Sequence, residues 1–369
     1  MTTSTITVDD MREKLLTLDE VRERLAVTEP LAAQEFPLRG SEYEVAQFRI
    51  LGGWNSGSES LPGTDPVDAY VSIGGGKEHQ LTKEALLEAT SFIGLTKKFT
   101  MNTPSTYIEP LVNYWYTHRD DDYQMLSIGD RAVGITRKTV TPFSNLRLLE
   151  EILEGIQTVY GDGEVLADYK MHHSLRGTTV RLIVPENVRQ VRPDDTWSTG
   201  LVLNNSLTGE VATSQQGYLF RWWCTNGATS THASGHYNRR ILGQGDEVFE
   251  WARAAVEDIL GGLEHEFEAL EELANTPIPN IDTNPDDAVS LALTDLFETY
   301  KVPVSAREAV IDNMVNSDDF TMYGLMQSVT QAANSEDLSE PLRARLMDIG
   351  GDLPRANSER CAACRRLMP

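Results

Sequence analysis

Residues 200–240 read GLVLNNSLTGEVATSQQGYLFRWWCTNGATSTHASGHYNRR, and this stretch decides the fold class that the sequence predicts. Within it, residues 218–224, YLFRWWC, form an apolar run typical of a strand. Alternation places the side chains on two faces: Phe220, Trp222 and Cys224 on the first, and Arg221, Trp223 and Thr225 on the second. The Asn226-Gly227 dipeptide favours a turn and ends the strand. We therefore expect one apolar core face, and one face with an arginine beside a tryptophan.

Further strands and helices are predicted on both sides of this segment. Residues 43–73, 124–139 and 165–184 have strand patterns, with Gly129-Asp130 as the turn of a hairpin. Helical periodicity marks residues 83–93, which Thr82 caps, and residues 107–116, 145–160 and 246–273. Because strands precede helices instead of alternating with them, we predict an α+β fold. It consists of a mixed antiparallel-sheet core with packed helices, followed by an acidic α-helical C-terminal part.

The same pattern divides the chain into four regions. We expect a peripheral N-terminal helical extension at 1–34 and an α+β core at 35–245. A helical C-terminal region follows at 246–350, after which residues 351–369 form a flexible tail.

Composition restricts where the protein works. No stretch approaches the roughly 20 apolar residues of a membrane span, and the N-terminus lacks the pattern of a secretory signal. The three cysteines, Cys224, Cys361 and Cys364, are too few for a disulfide framework. We therefore expect a protein of the cytosol of a host cell, with no membrane partner.

The net charge of −24 is unevenly distributed along the chain. Residues 1–130, 131–245 and 246–369 carry net charges of −10, +2 and −16. Acid spread over the surface is typical of salt adaptation, whereas concentrated acid indicates a partner of basic proteins. A near-neutral middle between acidic flanks leaves room there for an anionic ligand, although a sheet-rich core also needs fewer surface charges.

The polar segment after Asn226-Gly227 is where we expect such an anion, because loops rich in Gly, Ser, Thr and Arg can bind one. Single-strand binders combine aromatic side chains with a modest cationic groove, so we expect single-stranded DNA or RNA. The candidate contacts are Arg221, Trp223, Asn226, Gly227, His232, His236, Arg239, Arg240, Arg137, Lys138, Lys170 and Arg176. Trp222, Tyr237 and Arg181 are further aromatic and basic candidates.

Several alternatives stay open at this stage. Arg221 could instead be satisfied by a buried carboxylate in a purely structural motif. His232 and His236 are four residues apart, as in some zinc sites, but Ala-Ser-Gly between them disfavours a helix.

Cys224 could act as a nucleophile, yet it lies on the apolar face. Residues 74–78, GGGKE, lack the spacing of a phosphate-binding loop, and Cys361-x-x-Cys364 is half of a zinc site. We predict no cofactor.

Three stretches together resemble a phage- and plasmid-like family known as domain of unknown function 932. They are residues 79–99, HQLTKEALLEATSFIGLTKKF, residues 130–153, DRAVGITRKTVTPFSNLRLLEEIL, and residues 198–231, STGLVLNNSLTGEVATSQQGYLFRWWCTNGATST. Residues 321–334, TMYGLMQSVTQAAN, are similar to a fourth family motif, so the resemblance spans roughly 80–335. Where many members have Arg-Tyr, this chain has Arg137-Lys138.

The resemblance implies a protein of mobile elements and carries no catalytic residues with it. We expect a non-enzymatic, single-strand nucleic-acid-binding or annealing accessory of replication or recombination. The alternative is a protein-interaction or assembly factor that engages a phage or host protein through its acidic flanks. A metal-dependent enzyme is the third possibility, and oligomerisation is left open.

Overall fold

The computed structural model describes most of the chain between residues 12 and 352. The described residues are 12–29, 31–36, 46–51, 66–118, 122–168, 171–173, 177–193, 195–222, 227–230, 236–238, 246–278, 293–294, 297–298, 302, 304–333, 335, 338 and 340–352.

Helices and strands alternate irregularly along the chain. The helices are α1 (Leu18–Ala26), α2 (Lys83–Phe92), α3 (Lys97–Asn102), α4 (Ser105–His118), α5 (Asn145–Tyr160), α6 (Glu247–Asn275), α7 (Val304–Ser317), α8 (Met322–Ala332) and α9 (Glu340–Asp352). The strands are β1 (Leu31–Glu35), β2 (Ala46–Ile50), β3 (Pro66–Ile73), β4 (His79–Thr82), β5 (Tyr123–Ile128), β6 (Arg131–Arg137), β7 (Leu166–Ala167), β8 (His172–His173), β9 (Thr178–Arg192), β10 (Asp195–Asn205), β11 (Ser214–Arg221), β12 (Gly227–Ser230) and β13 (His236–Asn238).

The first sheet is mixed and has the strand order β1-β5-β6-β4-β3-β2. Strands β4 and β6 run parallel, and the other neighbours run antiparallel. The predicted hairpin of residues 124–139 is confirmed as β5 and β6, and Gly129 supplies the turn with a φ of 63°, which glycine adopts without strain. Helix α2 packs on this sheet. Its predicted cap is confirmed, since the Ala85 amide donates to Thr82 Oγ1 at 3.2 Å.

Helix α4 covers the edge of the first sheet at β2. The Asn113 side chain accepts from the Phe48 amide at 2.7 Å and donates to the Phe48 carbonyl at 2.8 Å. The Glu109 carboxylate accepts from the Ile50 amide at 2.7 Å. These side chains satisfy backbone groups that an edge strand would otherwise present to solvent.

The second sheet is antiparallel throughout and is built on the meander β9-β10-β11. Beyond β9, strands β7 and β8 pair with its free side, and beyond β11, strands β12 and β13 pair with that strand. The α+β class that the sequence predicts is therefore confirmed, with one mixed sheet and one antiparallel sheet.

A helical layer packs on one face of the second sheet. Helices α5 and α6 cross closely at Gly155, where a Cβ atom would lie 2.8 Å from Val256 Cβ. Buried side chains of α7, α8 and α9 continue the same core cluster, to which Leu201 and Leu219 of the sheet also belong. Residues on both sides of position 246 thus share one hydrophobic core.

The turn between β10 and β11 joins the two sheets. Its residue Leu207 is buried against Leu126 and Val133 of the first sheet. At the start of the turn, Asn205 Nδ2 donates to the Phe143 carbonyl at 2.9 Å and to Asn145 Oδ1 at 2.8 Å. The turn is therefore held by packing on one side and by side-chain hydrogen bonds on the other.

Most predicted elements lie where the sequence places them, and α5 has the expected bounds. The N-terminal helical region differs in burial: within α1, Val21 and Leu25 are fully buried instead of peripheral. The sequence also missed β1, α3 and the second half of β9. None of the helices in the described part of the chain combines the length and the apolar character that a membrane crossing needs.

Candidate functional site

Both faces of β11, the strand that contains Arg221, are buried. Phe220 and Trp222 pack with Tyr218, Ile183 and Val202 on one face, as predicted for a core face. On the opposite face, Arg221 is only 7% exposed, because the helical layer covers this end of the sheet. Trp222 is 1% exposed, so its candidate role as an exposed aromatic contact is also corrected.

Arg221 forms a two-pronged ion pair with Asp195, the first residue of β10. Nε donates to Oδ1 and Nη2 donates to Oδ2, each at 2.7 Å. The third nitrogen, Nη1, donates to Gln327 Oε1 on α8. The planar guanidinium matches the carboxylate in geometry, so both charges are satisfied by hydrogen bonds away from water.

Tyr323 and Trp197 complete this network. The Tyr323 hydroxyl donates to Asp195 Oδ2 and accepts from Trp197 Nε1 at 2.9 Å. Arg221 Cζ lies 5.8 Å from the ring centroids of both aromatic residues. Burial raises the pKa of Tyr323 well above its ordinary value, so its hydroxyl stays a proton donor. We call Asp195, Trp197, Arg221, Tyr323 and Gln327 the locked end of the second sheet.

A second arginine extends the contacts between the locked end and the helices. Arg192 Nη1 donates to Asp319 Oδ2 at 2.6 Å, and Nη2 donates to the Ala274 carbonyl at 2.7 Å. The Arg192 Cζ atom lies 4.7 Å from the Tyr323 ring centroid. The hairpin of β9 and β10 is thereby attached to the end of α6 and the start of α8.

These contacts correct the expected role of Arg221. Its guanidinium is buried and fully engaged, so it presents no donor to a nucleic acid in this structure. The structural alternative considered for the motif, an arginine satisfied by a buried carboxylate, is the one observed. The neighbouring candidates Trp223 and Asn226 lie outside the described residues.

The polar segment after the turn forms strands where the sequence predicts a loop. Gly227 begins β12 opposite Phe220, and His236 begins β13 opposite Gln216. The two strands follow the same side of β11, and residues 231–235, THASG, are inserted between them.

The described structure adds no further metal ligand to His232 and His236. His232 lies outside the described residues, and of His236 only the backbone is described. Among the described residues, no group of three or more His, Cys, Asp or Glu side chains could hold a metal ion.

The opposite end of the second sheet is formed by paired residues of β8, β9, β10, β11 and β13. Across this end, Thr178 pairs with His173 and Asn205, and Ser214 pairs with Asn204 and Asn238. Other predicted cations lie outside the described residues but adjoin this row in sequence: Lys170, Arg176, Arg239 and Arg240. Arg181 lies further along β9 and is half-buried.

Arg137, the last residue of β6 in the first sheet, and Lys138 after it are both exposed. The Val140 amide donates to the Arg137 carbonyl at 2.9 Å in the turn that follows. Val140 contacts the turn between β10 and β11, where a Cβ atom on Gly209 would lie 2.6 Å from Val140 Cγ1. We call the row from His173 to Asn238, with Arg137 and Lys138, the basic end of the second sheet.

His173 at the basic end is held neutral. Its Nδ1 atom is 2.9 Å from Thr178 Oγ1, and its Nε2 atom is buried without a hydrogen-bond partner among the described residues. Burial, with a contribution from neighbouring His172, lowers the pKa of His173 to about 4. The charge of this end near neutral pH therefore comes from its arginines and lysines.

The predicted site residues thus divide into two groups. Arg221 and Ser214 are the two ends of β11, seven residues apart, which corresponds to about 24 Å of strand. Arg221 therefore lies at the opposite end of the strand from the Ser214–Asn238 pair. Sequence reasoning missed Asp195, Tyr323 and Gln327, the partners of Arg221. The sequence indicates only that an arginine on a buried strand requires a carboxylate. It does not indicate which of the 56 acidic residues of the chain supplies it.

A groove of about 490 Å³ lies between α1 and α5, away from both ends of the sheet. It is lined by Leu18, Leu153, Val165, Arg22, Glu150, Glu154 and Asp162. Arg22 pairs with Glu150 at 2.7 Å, and Glu154 pairs with Arg253 at 2.6 Å, both near the surface. The groove therefore combines an apolar floor with a mainly acidic rim.

Comparison with known proteins found no match for this chain. No family model matches the chain, and no significant match was found among curated proteins or solved structures.

Proposed function

We propose that this chain is a non-enzymatic, single-strand nucleic-acid-binding accessory of replication or recombination in a phage or plasmid, of the family that it resembles. The observation that carries the proposal is the basic end. Its two described cations, Arg137 and Lys138, are exposed, and four further predicted cations adjoin it in sequence.

Charge separation supports this proposal. A polyanion is attracted by local potential, and a cluster of Lys and Arg can bind phosphates even when the whole protein is acidic. In this chain the acidic residues concentrate before position 131 and after position 245, whereas the second sheet comes from the near-neutral middle. At the locked end, by contrast, the arginine charge is cancelled by Asp195.

The test is fluorescence anisotropy with a fluorescein-labelled oligothymidylate over a range of salt concentrations. Arg137→Ala combined with Lys138→Ala is expected to weaken binding and to lower the slope of log affinity against log salt by about 1.4, since each phosphate contact on a single strand contributes about 0.7. Lys14→Ala combined with Lys77→Ala removes two other exposed cations and serves as the matched control. Absence of binding by the unmodified protein, or equal losses in both double variants, contradicts the proposal.

A second candidate function is supported by the groove between α1 and α5. Its apolar floor and acidic rim suit a basic, partly apolar segment of a partner protein, and its carboxylates come from the near-neutral middle of the chain, not from the acidic flanks of the assembly-factor alternative. Calorimetric titration with an oligolysine peptide tests it. Glu150→Gln with Asp162→Gln should weaken binding much more than Glu247→Gln with Glu271→Gln, and equal effects would leave only nonspecific attraction.

A further inference from the structure

The outward face of α4 is aromatic where a helix surface is ordinarily polar. Tyr107 and Tyr114 are each 67% exposed, and Leu111 is 48% exposed. With His118 they follow the spacing i, i+4, i+7 and i+11, which places all four within about 60° of arc along about 16 Å of helix. We call these four residues the α4 stripe.

The opposite face of α4 shows that the α4 stripe is not part of the core. Ile108, Val112 and Tyr116 are buried against the first sheet. Glu109, the acidic residue of this helix, accepts from the Ile50 amide and lies off the stripe. An exposed apolar patch marks an interaction site more often than chance, and this one carries no carboxylate in a chain of net charge −24.

Two rings of the α4 stripe are already stacked on each other. The Tyr114 and His118 centroids are 4.3 Å apart with an interplanar angle of 27°. His118 Nδ1 is 2.7 Å from the Tyr114 carbonyl, which fixes the imidazole orientation. Planar rings in this arrangement can continue a stack with a nucleobase, and such stacking is tolerant of base identity.

Two lysines lie on the helix that precedes the α4 stripe in the chain. Lys97 and Lys98 are exposed on α3, just before α4. At the other end, His118 precedes Asp122 by four residues, at most about 14 Å of chain. The Asp122 carbonyl accepts from the Lys138 amide at 3.0 Å, beside Arg137. The exposed Asp122 opposes these cations, and residues 119–121, Arg-Asp-Asp, lie outside the described residues. Lys138 is thus hydrogen-bonded through its amide to a residue four positions after the α4 stripe.

We propose that the α4 stripe is a base-stacking surface that receives a single strand whose phosphates contact the basic end. This inference rests on the proposed function and adds to it a second contact surface on a different sheet. Tyr107 and Tyr114 stack on bases, while Lys97, Lys98, Arg137 and Lys138 contact phosphates on either side.

The experiment uses the full chain and the same oligothymidylate anisotropy assay. Tyr107→Ala with Tyr114→Ala is expected to weaken binding about tenfold or more, since stacking contributes strongly for each base. The salt slope should not change, because no phosphate contact is lost. Tyr107→Phe with Tyr114→Phe keeps the rings and should keep the affinity. Val304→Ala, at an apolar side chain that is 78% exposed on α7, is the matched control.

The outcomes separate this inference from the proposed function. If the unmodified protein binds, the Arg137 and Lys138 variant weakens binding and the tyrosine variant does not, the stacking surface is overturned and the proposed function stands. If the unmodified protein does not bind, both fail. If light scattering shows that the tyrosine variant loses self-association while its oligonucleotide affinity is unchanged, the α4 stripe is a protein interface and the inference is overturned.

Discussion

Arg221, at one end of the second sheet, and Arg137, the last residue of β6 in the first sheet, are the same kind of side chain in opposite surroundings. At the locked end, Arg221 is buried and hydrogen-bonded to Asp195 and Gln327. At the basic end, Arg137 and Lys138 are exposed at the end of a strand. The difference shows that an arginine in an alternating strand stabilises the fold when both sheet faces are covered.

The covering element at the locked end comes from a distant part of the chain. Tyr323 and Gln327 belong to α8, more than 100 residues after Arg221. Because α8 packs over the β10 and β11 strands at this end, the sheet face that carries Arg221 is buried like the core face opposite it. The comparison can be tested by removing charge from each end in turn.

The largest effect is expected from Arg221→Ala. This change leaves Asp195 buried without its cation, which should lower the free energy of unfolding by about 3–5 kcal/mol. Urea denaturation followed by circular dichroism measures the loss. Arg221→Lys keeps the charge but not the two-pronged geometry, so an intermediate loss is expected. A loss below about 1 kcal/mol for Arg221→Ala would contradict a buried, satisfied pair.

An intermediate effect is expected from pH at the basic end. The pKa of His173 falls from 6.5 to about 4 on folding, so the unfolded chain binds more protons between these values. Stability contributed by neutral His173 is therefore present above pH 6.5 and is lost as the pH falls toward 4. The loss should be on the order of 1–2 kcal/mol, less than the full linkage value because the ring is only partly buried.

Comparison with His173→Asn isolates this contribution from that of the carboxylates. The difference in unfolding free energy between the two proteins should shrink as the pH is lowered from 7 to 4, since the variant has no group that must gain a proton. A difference that stays constant over this range would mean that His173 is accessible to protons in the folded state.

The smallest effect on stability is expected from Arg137→Ala combined with Lys138→Ala. Both side chains are exposed, so the change should alter the free energy of unfolding by no more than about 0.5 kcal/mol. Thermal melting in the same buffer as the Arg221 variants provides the comparison. A loss similar to that of Arg221→Ala would remove the distinction between the two ends.

The sequence predicted elements whose pattern is local. The α5 helix has five apolar residues at helical spacing and a serine at its N-cap, so its bounds were predicted correctly. The β5–β6 hairpin followed from Gly129, which occupies a conformation that other residues avoid. In both cases a few neighbouring residues carry the whole signal.

The partners of Arg221 could not be predicted in the same way. Alternation alone does not show whether the face opposite the core is covered, because the covering helix is distant in sequence. Residues 185–192, PENVRQVR, are mostly polar and begin with proline, so they lack the pattern of a strand although they pair with the start of β10. The carboxylate at Asp195 was missed with them.

The hydrogen bonds from Asn113 and Glu109 to the β2 backbone have a consequence for how copies of the chain can meet. A strand from another molecule cannot extend the first sheet at Phe48 or Ile50, since those donors and acceptors are already occupied. Edge-to-edge polymerisation is thereby blocked at this side by two side chains of one helix. The same helix, attached along the strand by Asn113 and Glu109, presents the stacked rings of Tyr114 and His118 to solvent.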